Sequence, residues 1–135
     1  MTSFRTMFAT IALATLPVLA PDLAHAAQGD PLVVIAELPE LTERQAQGQA
    51  LFQAECASCH GVAGAGRIGV GPPLVHSRYR PARQSNFSFQ LALTNGKSPT
   101  LWRFGEMPAR PDLSETQIKA LIDYIRAVQR ANGIR

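Results

Sequence analysis

The scarcity of several residue types narrows the reading first. In 135 residues there are two cysteines, three histidines and three methionines, too few thiols for a disulfide framework and too few imidazoles for a His-rich metal store. Aromatic residues make up 7% and the net charge is +3, sparse for a dedicated nucleic-acid binder. A membrane-spanning helix needs ~20 apolar residues, whereas the run Met7–Ala20 has 14 and contains Pro17. No segment alternates apolar and polar residues with a period of two, so a β-sheet is not expected. The length suits one ordinary domain and excludes a large multidomain enzyme. Present instead are 46% apolar residues and ten each of Gly and Pro, a globular balance with many turns.

Met1–Ala26 reads as a secretory signal peptide. A short polar start with Arg5 leads into the apolar run, and Ala24-His25-Ala26 places small residues where signal peptidase cleaves. The expectation is export to the periplasm and a mature chain of 109 residues. That chain keeps one methionine, Met107, and two histidines, His60 and His76. Residues 27–41 hold Leu32–Ile35 between Pro31 and Pro39 and read as an extended arm, leaving 42–135 as the folded domain.

Two helices are legible in that domain. Thr42-Glu43-Arg44-Gln45 is a capping box, a Thr cap with Gln three residues on, and predicts a helix over Glu43–Cys56. Ser114-Glu115-Thr116-Gln117 is a second box. After it Ile118, Leu121, Ile122, Ile125 and Val128 recur at helical spacing, and Asn132-Gly133 supplies the stop. Arg126 and Arg130 suit the negative end of that helix's dipole. A short helix is expected over Ser85–Thr94 before Asn95-Gly96, and Gly61–Pro73 and Lys97–Asp112 read as loop. An all-α chain with so loop-rich a middle buries little apolar surface of its own. A large apolar cofactor would supply what the middle lacks.

Cys56-Ala57-Ser58-Cys59-His60 is C-x-x-C-H, the spacing of a c-type haem attachment site. Two cysteines three apart reach the two vinyl groups of one haem, and the adjacent His60 is then held against the iron. A thioredoxin-like pair would open a helix after a strand, whereas this pair ends a helix. A structural zinc site needs four ligands, and only His76 is left nearby as a fourth. A disulfide across so tight a loop would leave the fold without a core. For a second axial ligand the mature chain offers Met107 and His76. Met107 is expected: it lies 47 residues past His60, far enough to return on the other haem face, and Pro108 stiffens its backbone. A lone Met is otherwise a filler of core gaps, and His76 or an open sixth site stay as alternatives.

These residues resemble the small bacterial class I, or mono-haem, cytochrome c family. The resemblance covers Thr42–Gly133: the attachment motif with Gly61, the loop Gly71-Pro72-Pro73-Leu74, Met107-Pro108, and Leu121–Arg126. It implies that the first and last helices cross near a right angle around one covalently bound haem c. Gly48 and Phe52 would there meet Leu121 and Tyr124. It also implies that a carbonyl in the Pro-rich loop, assigned to Pro72, accepts the Nδ1 proton of His60. Trp102, Tyr79, Arg78 and Arg103 are candidate partners for the haem propionates, or equally ordinary loop packing and solvated charge. The family has no counterpart for the arm.

The expected function is a periplasmic carrier of single electrons between redox partner proteins, a dehydrogenase donor and an oxidase or cytochrome acceptor, with no bond-making chemistry. Rival readings are a haem peroxidase or gas sensor with a displaceable sixth ligand, and a cytochrome subunit docked through its arm to a larger dehydrogenase. Charge is segregated along the chain. Residues 27–55 sum to −4 and residues 56–105 to +6, the latter through Arg67, Arg78, Arg80, Arg83, Lys97 and Arg103 without one acid. Arg78, Arg80 and Arg83 are therefore expected to steer an acidic partner.

Overall fold

The structure is a computed structural model that describes residues 27–135; the signal-peptide expectation for Met1–Ala26 lies outside them. The described residues form four helices, α1 (Glu43–Glu55), α2 (Ala57–His60), α3 (Asn86–Asn95) and α4 (Glu115–Ala131). Short 3₁₀ turns stand at Val62–Gly64 and Ser77–Tyr79. Among the described residues pairing of the β type is limited to two isolated bridges, Arg67 with Gly71 and Lys97 with Met107. The architecture is all-α with a loop-rich middle.

Local chemistry explains where the helices start. Both capping boxes form, Thr42 with Gln45 ahead of α1 and Ser114 with Gln117 ahead of α4. Ser85 caps α3 by accepting from the Ser88 amide, and Gly96 ends it at a φ of 74°. The apolar stripe of α4 is buried throughout, with Val128 at 0% exposure. α1 is mostly polar and buries only Gly48 and Phe52, four residues apart on one face. These two seat α1 on α4. A Cβ at Gly48 would be driven into the Ala120 carbonyl, and the Phe52 and Tyr124 rings lie 5.6 Å apart.

Two elements depart from expectation. The first helix does not continue through Cys56: it ends at Glu55, and Cys56 at φ −118° breaks the line before α2 begins. The hydrogen bonds restart at once, with the His60 amide donating to the Cys56 carbonyl at 2.8 Å. The break re-aims Cys59 and His60 relative to α1. Arg126 does not point along the dipole to solvent; it is 5% exposed and turned inward.

Residues 27–41 run without helix across the Gly-rich loop. The Gly29 amide donates to Ile68 O and the Ile68 amide to Asp30 O, both at 2.9 Å, and the Val33 amide reaches Ala65 O at 3.0 Å. Beyond α4, Asn132 then clips the arm down. Its Oδ1 accepts from the Ala36 and Glu37 amides at 2.8 and 3.1 Å, while its Nδ2 donates to Glu37 O at 2.8 Å.

Candidate functional site

α1, α2, α3 and α4 enclose a cleft of about 420 Å³. Phe52, Leu121, Ile122 and Ile125 form its inner wall, so the helix crossing that builds the core also builds the cleft. Cys56, Cys59, His60 and Met107, far apart in sequence as a set, all line it.

His60 ends α2 and is 8% exposed. Its Nδ1 lies 2.9 Å from the Pro72 carbonyl. A carbonyl only accepts, so Nδ1 carries the proton and Nε2 keeps its lone pair, the state a metal-ligating imidazole needs. Burial pushes the ring's pKa below its ordinary value, against a smaller raising effect of the Pro72 bond. The Pro-rich loop can come this close because Gly71 has no side chain: a Cβ there would collide with the Cys59 carbonyl.

The two cysteines form no disulfide with each other; Cys59 is exposed and Cys56 half-buried. Before haem is attached, burial pushes the Cys56 thiol up to about 11, with the Arg110 charge opposing. Arg110 lies 3.1 Å from Glu55 and pairs through two nitrogens with Asp112, tying the loop after Met107 to the end of α1.

Met107 is held from behind. Its amide and carbonyl exchange hydrogen bonds of 2.9 Å with Lys97. Gly96 packs so tightly on this pair that a Cβ would stand 2.7 Å from the Met107 carbonyl. The loop expected between Lys97 and Asp112 is thus pinned at the residue that faces the cleft.

Of the four candidates for propionate contacts, Tyr79 and Trp102 line the cleft, and Arg78 and Arg103 do not. The indole Nε1 of Trp102 is buried with no hydrogen-bond partner, a costly state that an acceptor in the cleft would relieve. Burial raises the Tyr79 phenol's pKa, and the nearby Trp102 indole lowers it in part, the two groups standing close but outside hydrogen-bond geometry. His76 is not part of the lining. Its Nδ1 accepts from the Arg78 amide at 3.1 Å, and its ring meets Trp102 edge-on at 5.7 Å.

An apolar cleft with two thiols, an imidazole whose Nε2 is free, a thioether and an orphaned N–H fits a covalently attached haem. A family model described as cytochrome c oxidase, cbb3-type, subunit III matches residues 43–125. The chain belongs to this cytochrome c family. The c-type cytochrome XoxG from Methylobacterium extorquens AM1 is similar in structure, with a TM-score of 0.53 and 29% identity over 64% of this chain and 51% of that one. The cbb3-type cytochrome c oxidase subunit CcoP of Rhodobacter capsulatus is 29% identical over 126 residues. That match takes in 88% of this chain, which spans 42% of the length of CcoP. The fold is cytochrome c-like, and the cofactor is covalently bound haem c.

The cytochrome also contains functional geometry that sequence reasoning missed. Arg126 and Gln129 form a buried polar network beside the cleft. One signal was available: Arg126 follows Ile122 by four residues and Gln129 follows Ile125 by four, which puts both on the apolar stripe.

Proposed function

We propose that this cytochrome is a periplasmic electron carrier whose haem is tethered by Cys56 and Cys59 and ligated by His60 and Met107. The observation that carries the reading is the convergence of these four side chains on one cleft, with His60 already oriented by the Pro72 carbonyl. When bound, the haem iron supplies reversible exchange of one electron between the ferrous and ferric states.

Each residue's part follows from its setting. Cys56 and Cys59 would hold the haem through a thioether to each sulfur. His60 would hold the iron through Nε2, with Pro72 O fixing the ring plane and raising its basicity. Met107, backed by its Lys97 pairing, presents a soft thioether that favours the ferrous state. Phe52, Leu121, Ile122 and Ile125 exclude water. Trp102 Nε1 and the Tyr79 phenol offer hydrogen bonds to the propionates. The basic residues Arg78, Arg80 and Arg83, chain neighbours of the cleft-lining Tyr79 and Gln84, steer an acidic redox protein toward the haem.

Mass spectrometry of the exported protein tests the attachment, and a chain mass without haem ends the reading. Carbon monoxide tests the sixth ligand. The reduced wild type is expected to keep its spectrum, and Met107→Ala to bind the gas. Rapid binding by the wild type would favour the peroxidase or sensor reading instead. A subunit role in a larger redox assembly is a second reading. It is supported by Val34 and Leu38 on the arm, 89% and 64% exposed, and by the subunit names of the family model and of CcoP. Co-purification of a partner through an intact arm, lost on Val34→Ser and Leu38→Ser, distinguishes it.

A further inference from the structure

Arg126 is a buried cation without a counter-charge. It is 5% exposed, and among the described residues no carboxylate forms an ion pair with it. Neutral oxygens hold its guanidinium. Nε donates to Asn86 Oδ1 at 2.9 Å, Nη1 to Tyr79 O at 2.7 Å and to Gln129 Oε1 at 2.6 Å, and Nη2 donates to Gln84 O. Gln129, itself 0% exposed, repeats the theme by donating to Leu74 O and Tyr79 O. An unpaired charge is expensive to bury, and a structural clamp on loop carbonyls needs donors only, which a neutral side chain supplies as well.

The position of the charge matters for the same reason. The guanidinium carbon sits 4.6 Å from the centre of the Phe89 ring, and that ring meets Tyr79 edge-on at 6.3 Å. Phe89, Tyr79 and Gln84 all line the cleft. Arg126 therefore stands one residue behind the cleft wall, on the side where Trp102 Nε1 lacks an acceptor. Through so apolar a wall a fixed charge is screened far less than at the surface.

We propose that Arg126 is a positioning and charge-setting residue for the haem, holding Tyr79 and Phe89 against it and raising its reduction potential. This rests on the haem reading above. A fixed positive charge opposes the extra positive charge of ferric iron and so favours the ferrous state. The same charge attracts the propionate carboxylates, since among the described residues no protein carboxylate, Glu106 of the cleft lining included, pairs with Arg126. Sequence position alone would give Arg126 only a helix-end role; its burial and acceptor set give it this one.

The test compares potential with stability in the loaded protein. Arg126→Gln removes the charge and is expected to shift the ferrous/ferric equilibrium about tenfold toward ferric, which is about 59 mV for one electron. Arg126→Lys keeps a charge but loses the planar fork, and is expected to stay near the wild-type potential despite a lower unfolding midpoint. Asn86→Asp leaves Arg126 and its carbonyl bonds in place while giving Nε a carboxylate, so the potential is expected to fall with no loss of stability. This variant decides the matter if Arg126→Gln does not fold. Ser85→Asp adds the same charge one residue away, outside the guanidinium's hydrogen bonds, and is expected to leave the potential nearly unchanged. If the Arg126→Gln and Asn86→Asp proteins both keep the wild-type potential, Arg126 is only a structural clamp and the proposal is overturned. Absence of covalent haem from the wild type is a separate result, seen by mass before any titration, and overturns the haem reading itself.

Discussion

His60 shows how much one hydrogen bond and one burial decide at the scale of a residue. The Pro72 carbonyl sets the tautomer, and burial keeps the ring neutral by lowering its pKa from 6.5. The folded state thus binds its proton less tightly than the unfolded chain does. Stability from this group is present above the unfolded value and is lost as pH falls below it, because the unfolded chain then takes up a proton that the folded one resists. Denaturant midpoints measured from pH 8 down to pH 5 are expected to fall, with a slope of at most ~1.4 kcal/mol per pH unit for one proton. A midpoint unchanged across that range would show that His60 takes up no extra proton on unfolding. The motif made His60 legible without any structure, and the Pro-rich loop pointed to Pro72 by resemblance. The orphaned Trp102 N–H was not legible, since a missing partner is a property of surroundings and not of a residue type.

At the scale of elements, two contacts carry the fold. α1 has little apolar surface, so its docking on α4 depends on close approach at Gly48 and on Phe52 against Tyr124. Gly48→Ala would improve intrinsic helix propensity by ~1 kcal/mol, yet its methyl group would meet the Ala120 backbone, which cannot step aside. The clash is expected to win, with a net loss of about 3 kcal/mol in chemical denaturation and a weakened cleft. A stability equal to the wild type would mean that the helices do not approach here. The arm depends on Asn132, whose three hydrogen bonds to Ala36 and Glu37 are exposed. Asn132→Ala is expected to cost roughly 1 kcal/mol and to raise amide exchange in residues 27–37 while leaving α4 protected. Uniform exchange across the chain would refute the clip. Capping boxes and the α4 stripe were legible because their causes lie within a few residues. The break at Cys56 was not, because no Gly or Pro marks it.

For the whole molecule, the deciding feature is the separation of charge along the chain, −4 over residues 27–55 and +6 over residues 56–105. Arg78 and Arg83 are exposed and Arg80 is half-buried. Between them in the chain lie Tyr79, in the cleft wall, and the loop leading to Gln84. Charges placed this way raise encounter rates with an acidic partner but are screened beyond ~8 Å at physiological salt. Stopped-flow rates of electron transfer to such a partner are expected to fall as ionic strength rises. They are expected to be lower still, and less salt-dependent, in the triple Arg78→Glu, Arg80→Glu, Arg83→Glu protein at unchanged potential. A wild-type rate that is flat in salt would leave these arginines as solvated surface.

The sequence alone determined the candidate site residues, because Cys56, Cys59 and His60 fall within five consecutive positions and their spacing matches one cofactor. It also determined where the helices begin, because a cap and its partner are three residues apart. Tertiary structure decided what those side chains meet. Lys97 and Gly96 bring Met107 to the cleft, Asn132 receives an arm 95 residues away, and Arg126 turns from helix end to buried charge. Each of these depends on which distant segments pack together, and packing is settled by the shape and burial of the whole chain rather than by any local run of residues.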